Sequence, residues 1–333
     1  MKVFVTGATG LLGHHVVHQL REAGHEVIGL VRSDTKARRM IGATGARWVV
    51  GDVRDVAAFA HELDGCDAVV HTAAYFREYY QPGDHATLLE DVNVKATLAL
   101  MREADARGVA RFVHTSSSGT IGQKPDGSPG DEDTPPPAIA HENLYFRSKV
   151  EGDAKIRAFT PVSGMRVIEI LPGWMWGPGD AGPTNAGRLA LDFLARRLPG
   201  VPPGGTSVVD ARDVASATVA AAQRGAHGAR YIVGGRPLTL AQIVVSLERA
   251  SGVAAPRVRI PFWFLMIYAT LAELWSRVSG RSVTITRVGV KTMRDGHLVS
   301  SARAERDLGV RFRSFDETAR DVVAWYREHP IAA

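Results

Sequence analysis

Residues 2–13 read Lys2-Val3-Phe4-Val5-Thr6-Gly7-Ala8-Thr9-Gly10-Leu11-Leu12-Gly13, and their order decides the fold. A strand-like apolar run ends at Thr6, glycines follow at 7, 10 and 13, and a helix-patterned segment begins near Leu11. In a turn that meets a dinucleotide each glycine has its own task. The first permits a tight turn, the second lets backbone amides approach a pyrophosphate, and the third allows helix and strand to pack closely. The start of the helix adds unpaired N–H groups and the positive end of its dipole. Glycine triplets alone are weak signals, but one set between a strand and an amphipathic helix has the required context. The expectation is a cofactor cradle made by Gly7, Thr9, Gly10, Leu11, Leu12 and Gly13, with a purely structural turn as the alternative.

Working outward, short apolar runs alternate with helix-patterned segments through the first half of the chain. That alternation predicts a parallel sheet covered on both faces. Strands are predicted over 2–6, 26–31, 46–50, 68–72, 111–115 and 166–171, with helices over 14–23 and 88–107 ended by Gly24 and Gly108. The fold class is therefore α/β, a Rossmann doubly wound parallel sheet. After Gly173 the alternation lapses, and helices are predicted over 240–251, 262–278, 302–308 and 315–328. This divides the chain into a dinucleotide-binding domain over 1–173, with a return segment at 208–236, and a smaller, mostly helical substrate domain over 174–207 and 237–333. The Pro-, Gly- and Asp-rich stretch from Lys124 to Pro137 is predicted as a loop, either a flap or a plain surface connection.

Composition bounds the function. With 333 residues, 45% hydrophobic and 23% charged, the chain has the makeup of an ordinary globular protein. Its net charge of +5 is spread over scattered basic residues, which favours a small anionic ligand over nucleic acid. Cys66 is the sole cysteine, so no intrachain disulfide or cysteine-based zinc site can form. Together with the absence of a leader-like start, this gives the expectation of a cytoplasmic protein. His14 and His18 share a helix face without an evident third ligand, so no metal is expected. The run from Ile260 to Ala272 is shorter than the roughly 20 apolar residues of a spanning helix. Thr270, Glu273 and Arg277 recur at helical spacing, which favours a buried helix or pocket lid over membrane-surface contact.

The end of the second strand bears on the choice of cofactor. An acid there holds ribose hydroxyls in NAD sites, whereas an arginine accommodates the extra phosphate of NADP. Val31 is followed by Arg32, with Lys36, Arg38 and Arg39 close behind, so NADP(H) is preferred; Asp34 keeps NAD(H) open. Asp52, followed by Val53, is a candidate for the adenine end, or else a helix cap.

Tyr145-Phe146-Arg147-Ser148-Lys149 sets a phenol and an ammonium four residues apart on one helical face. A tyrosine of ordinary pKa near 10 is a poor acid–base group at neutral pH, and a cation beside it favours the phenolate. With the glycine loop, Gly51-Asp52, His71-Thr72-Ala73-Ala74, Asn93-Val94-Lys95-Ala96-Thr97, Thr115-Ser116-Ser117-Ser118-Gly119-Thr120, Leu171-Pro172-Gly173 and Gly177-Pro178, the chain resembles the extended short-chain dehydrogenase/reductase family over nearly its whole length. The resemblance implies that Ser117, Tyr145 and Lys149 form a catalytic triad, with Ser116 and Ser118 as neighbouring alternatives. It implies cofactor contacts at Thr72, Ala73, Ala74, Tyr145, Lys149, Pro172 and Gly173, a supporting role for Asn93, and a homodimer as a common arrangement. In ketone reduction Tyr145 would give a proton to the developing alkoxide, Ser117 would hydrogen-bond the same oxygen, and hydride would come from the cofactor.

Members of this family divide into nucleotide-sugar epimerases and dehydratases and a group of carbonyl reductases similar to dihydroflavonol reductase and 3β-hydroxysteroid dehydrogenase. Residues 182–184, 209–214 and 301–309 resemble a hopanoid-associated group carrying epimerase names. Where sugar-nucleotide enzymes commonly carry an asparagine, this chain has Trp174. Tyr75, Phe76, Trp174, Met175 and Trp176 are read as an aromatic substrate pocket, with packing at the domain junction as the tryptophans' alternative role. The expectation is an enzyme, an NADP(H)-dependent reductase of a small apolar or aromatic carbonyl compound. An NAD(P)-dependent epimerase or dehydratase is the alternative, and a catalytically silent dinucleotide sensor is a third reading.

Overall fold

A computed structural model describes residues 1–76, 85–279, 286–296 and 298–331. Ten strands are present among them: β1 Lys2–Thr6, β2 Glu26–Val31, β3 Arg47–Val50, β4 Ala68–His71, β5 Arg111–Thr115, β6 Arg166–Pro172, β7 Trp174–Trp176, β8 Gly205–Asp210, β9 Arg230–Val233 and β10 Arg236–Thr239. Seven of these form one parallel sheet in the order β3-β2-β1-β4-β5-β6-β9. Val3, Phe4 and Val5 of β1 and Val69 and Val70 of β4 are fully buried, as a sheet covered on both faces requires. The predicted strands agree with the observed ones to within a residue at each end.

The helices are α1 Leu11–Glu22, α2 Asp34–Ile41, α3 His85–Glu90, α4 Thr97–Ala106, α5 Ile139–Glu142, α6 Leu144–Arg157, α7 Asn185–Leu194, α8 Ala211–Arg224, α9 Leu240–Ser251, α10 Phe262–Ser279, α11 Arg287–Asp295, α12 Ala302–Leu308 and α13 Phe315–Glu328. Val16, Val17 and Leu20 of α1 and the alanine-rich face of α8 pack one side of the large sheet, while Leu100 and Met101 of α4 and Ile156 of α6 pack the other. A third core joins α7, α9 and α13 to a three-stranded sheet, β10-β8-β7.

The helix expected over 88–107 is interrupted. Residues Asp91–Ala96 form a π-helical turn between α3 and α4. Such a turn admits one extra residue per bond and turns a side chain that an α-helix would aim elsewhere; here Asn93 becomes buried. The 124–137 loop is tied to the body of the protein. Gly130 bridges Val299, and Glu132 accepts from the Ile232 amide at 3.0 Å.

Strand order reverses between β1 and β4, since the chain runs outward from β1 to β2 and β3 and then returns to β4. A crevice therefore opens at the carboxyl ends of β1 and β4, the place where open α/β sheets bind ligands. The 7–10 loop and residues 72–76 leave from those two ends.

Candidate active site

At the crevice the glycines are constrained by contact. Gly7 has φ +66°, and a Cβ there would come within 2.8 Å of the Ala73 amide nitrogen and the Thr72 hydroxyl. A Cβ on Gly13 would overlap the Gly7 carbonyl oxygen, so α1 sits directly on the turn. Gly10 caps α1 with no side-chain hydrogen bond to its first amides, and Leu11 and Leu12 bury their side chains. His14 donates from Nδ1 to the Gly10 carbonyl at 2.8 Å, and burial lowers its pKa to about 4. Among the described residues no group of three His, Cys, Asp or Glu could hold a metal ion. Thr6 joins the two strands: its hydroxyl meets His71 Nδ1 at 2.7 Å and accepts from the Ala73 amide at 3.3 Å, while Thr72 donates to the Thr6 carbonyl. Across the ring, His71 Nε2 meets the Thr97 hydroxyl at 2.9 Å. These features fit a dinucleotide, whose phosphates need open amides and a backbone without side chains in the way.

Arg32 stands exposed just past β2. Asp34, the competing acid, is engaged elsewhere: Oδ2 accepts from Arg38 at 2.7 Å and Oδ1 from the Trp48 indole at 3.0 Å, and these bonds hold its carboxyl below the usual range. Asp52 is paired with Arg54 through both oxygens, so its offer to an adenine would compete with a guanidinium; Val53 beside it is buried.

Asn143 caps α6, accepting from the amides of Tyr145 and Phe146 at 3.1 Å each. One turn on, buried Lys149 donates from Nζ to the Thr115 carbonyl at 2.8 Å. Burial lowers the Lys149 pKa to about 8, with buried Asp153 acting in the opposite direction. Phe76 and Phe146 flank the phenol, with ring centroids 4.8 and 5.7 Å from that of Tyr145. The serines after β5 part ways. Ser116 turns inward and donates to Asp153 at 2.7 Å, whereas half-buried Ser117 accepts from the Gly119 amide at 3.1 Å, and Ser118 is buried. Asn93 spans the back of the site. It accepts from the Tyr75 amide at 2.8 Å and donates from Nδ2 to the Tyr75 carbonyl and the Ser148 hydroxyl, both at 3.1 Å.

Not every expected residue is brought to the crevice. Trp176 is 1% exposed, its ring edge-on to Trp174 at 5.1 Å and to Phe315 at 5.3 Å within the third core, so the expectation of a pocket wall is corrected to one of packing. Residues 174 and 176 share a strand face, and both rings turn toward that core while half-buried Met175 turns toward the large sheet. Gly173 is required by crowding, because a Cβ would fall 2.6 Å from the Gly234 carbonyl oxygen and 2.8 Å from that of Ser207; Pro172 before it ends β6. Ala74 is exposed, and the Tyr75 hydroxyl meets His85 Nδ1 at 2.8 Å.

The reading of the sequence missed Asp153. It belongs to a buried group with Ser116, Arg230 at 3.9 Å and the nearby Glu169, whose pKa burial pushes up to about 8. A signal was present, since Tyr145, Lys149 and Asp153 follow one another at intervals of four on one helix.

The switch-point crevice, the glycine cradle and the Tyr145/Lys149 pair define the class, an NAD(P)-dependent oxidoreductase of the extended short-chain dehydrogenase/reductase type. Residues 3–234 match the NAD dependent epimerase/dehydratase family, and the chain belongs to it. It is 34% identical over 332 residues to sterol demethylase protein B of Methylococcus capsulatus, covering 98% of this chain and 99% of the relative. A dihydroflavonol 4-reductase-like protein of Synechocystis sp. is 31% identical over 331 residues, covering 98% and 94%. The crystal structure of gox2253 superposes with a TM-score of 0.85 at 30% identity, covering 98% of each chain. The family's cofactor is a nicotinamide dinucleotide.

Proposed function

We propose that the protein is an NADP(H)-dependent reductase of a small, apolar carbonyl compound. The observation that carries this reading is the aromatic setting of Tyr145, whose ring touches those of Phe76 and Phe146. A diphosphate-linked sugar needs cations and hydrogen-bond donors around it, whereas an apolar carbonyl compound gains from aromatic walls. The reductase name of the full-length Synechocystis relative supports the same reading.

When bound, the nicotinamide supplies the hydride. Gly7, Thr9, Gly10 and Gly13 and the amides opening α1 would hold the phosphates, Arg32 would meet the adenosine ribose, and residues 72–74 would line the rest of the cofactor site. Tyr145 donates its phenolic proton to the substrate oxygen, and Ser117 donates a hydrogen bond to the same oxygen. Lys149, held by Thr115, stabilises the phenolate left behind. Ser117 is preferred to Ser116 because the latter's hydroxyl is committed to Asp153. The substrate lobe is assigned to residues 174–207 and 237–333, with Tyr75 and Phe76 nearest the reacting carbonyl and half-buried Trp174 at the junction with the third core.

The test is NADPH turnover by purified protein against a panel of aryl ketones and aldehydes, run beside saturation-transfer NMR with UDP- and dTDP-sugars. Turnover of a ketone without sugar-nucleotide binding is expected. Tight, Trp174-dependent binding of a nucleotide sugar would overturn the reading in favour of an epimerase.

A further inference from the structure

Helix α10 departs from the usual surface pattern. Leu265 and Ala269 are buried, and Val290 of α11 packs with them in a small core. The opposite side of α10 carries Trp263, Phe264, Ile267, Tyr268, Leu271, Leu274 and Trp275, each between 50% and 64% exposed. At about 100° per residue these seven project over an arc of about 140° that contains no charged residue. Thr270 and Glu273 fall outside that arc, and Glu273 is paired with Arg287 at 2.8 Å; the Arg277 side chain lies outside the described residues. Taking roughly 150–250 Å² for each large side chain, the arc exposes on the order of 700 Å² of mostly apolar surface. The largest patch on a typical monomer is about 300–600 Å².

We propose that α10 lies in the headgroup layer of an anionic membrane, seating the protein on the bilayer surface without crossing it. Among the described residues no helix is long and apolar enough to cross. Four of the seven side chains are aromatic, and Trp263 and Trp275 stand 12 residues apart, about 18 Å along the axis. Tryptophan and tyrosine favour the boundary between headgroups and acyl chains. Charge selects the lipid. Exposed Arg257 and Arg259 precede the helix, with exposed Val258 between them, and the chain carries a net charge of +5. Basic residues beside an apolar helix face are the pattern that meets anionic headgroups. A second copy of the chain is the poorer occupant, because a surface of net charge +5 offers the arginines beside this face no excess of negative charge.

The position matters for catalysis. Helix α11, packed on α10, reaches α5 through Lys291 and Glu142 at 3.3 Å, just before the helix that carries Tyr145. Through these contacts a docked α10 is linked to the helix that carries Tyr145, on a bilayer in which apolar compounds concentrate. That consequence rests on the reductase reading, and the docking does not.

Co-sedimentation with phosphatidylcholine vesicles, with and without phosphatidylglycerol, tests the docking. The full chain is expected to sediment with the anionic vesicles and much less with the neutral ones, with a blue shift of tryptophan emission. The triple variant Trp263→Gln/Leu271→Gln/Trp275→Gln should lose at least about 30-fold in partitioning, because burying even one such side chain is worth a factor of about 10. Its thermal midpoint and dinucleotide binding should match wild type, since the substituted side chains are exposed. Arg257→Ser/Arg259→Ser keeps the apolar face intact and should weaken binding to anionic vesicles alone, by about 5-fold per residue. Failure of wild type to bind anionic vesicles, or equal binding by the triple variant, would overturn the proposal. A wild-type dimer that the triple variant converts to monomer, with no vesicle binding, would reassign the face to self-association. Vesicle binding without ketone turnover would keep the docking and remove the reductase.

Discussion

Lys149 donates from Nζ to the carbonyl oxygen of Thr115 at 2.8 Å, so the last residue of β5 holds the ammonium carried by α6. That one bond ties the helix bearing Tyr145 to the end of the sheet where the crevice opens. It also places a cation where burial disfavours it, and the consequences are measurable.

Lys149 loses its proton near pH 8 in the folded protein but at its ordinary 10.5 when exposed. Between these values the unfolded chain binds more protons than the folded one, so the Lys149 contribution to stability rises with pH across that window. Below pH 8 the full cost of burying the charge is present. Lys149→Met is therefore expected to unfold at an equal or higher temperature than wild type at pH 7, with the difference shrinking toward pH 10. Its turnover and dinucleotide affinity should both fall. Thermal unfolding and fluorescence titration across pH check this, and a variant that loses stability while keeping activity would make Lys149 a structural residue only. Wild-type turnover should decline as pH rises through about 8.

Tyr145→Phe is expected to keep the fold and dinucleotide binding and to lose at least about 100-fold in kcat, the usual effect of removing a general acid. Single-turnover measurements with a ketone substrate check it. Near-normal turnover would take Tyr145 out of the mechanism.

Arg32→Ala should cost about 10- to 100-fold in NADPH affinity and leave NADH affinity unchanged, because a guanidinium serves a phosphate and not a ribose hydroxyl. Wild type preferring NADH would mean that Asp34 had released Arg38 and Trp48 to take the ribose.

Asn93→Ala removes three hydrogen bonds at once and leaves the Tyr75 amide and carbonyl without that partner. A loss of about 1–3 kcal/mol is expected in urea unfolding. Asn93→Asp keeps the acceptor for the Tyr75 amide and should fall between the two. If Asn93 also positions the site, kcat will drop by more than KM rises.

Gly13→Ala forces α1 away from the Gly7 turn, since the added carbon overlaps the Gly7 carbonyl oxygen. Destabilisation of about 1–3 kcal/mol with loss of dinucleotide binding is expected, and NADPH should no longer raise the melting temperature.

The sequence by itself determined the sheet, the glycine turn and the Tyr145/Lys149 pair. These rest on local rules: strand and helix periodicity, the φ that Gly7 must adopt, and the four-residue spacing that stacks side chains on a helix. Only the tertiary structure decided which hydroxyl of the serine run is committed, because Ser116 turns to Asp153, 37 residues away in the chain. It also decided that Asp34 is held by Arg38 and Trp48, that Trp176 packs against Phe315 instead of lining the crevice, and that a π-turn buries Asn93. The same holds for α10, whose apolar pattern announced a helix but not how much of it neighbours would cover. Periodicity tells which side chains share a face; what lies against that face depends on residues far away in sequence, and only the folded chain brings them together.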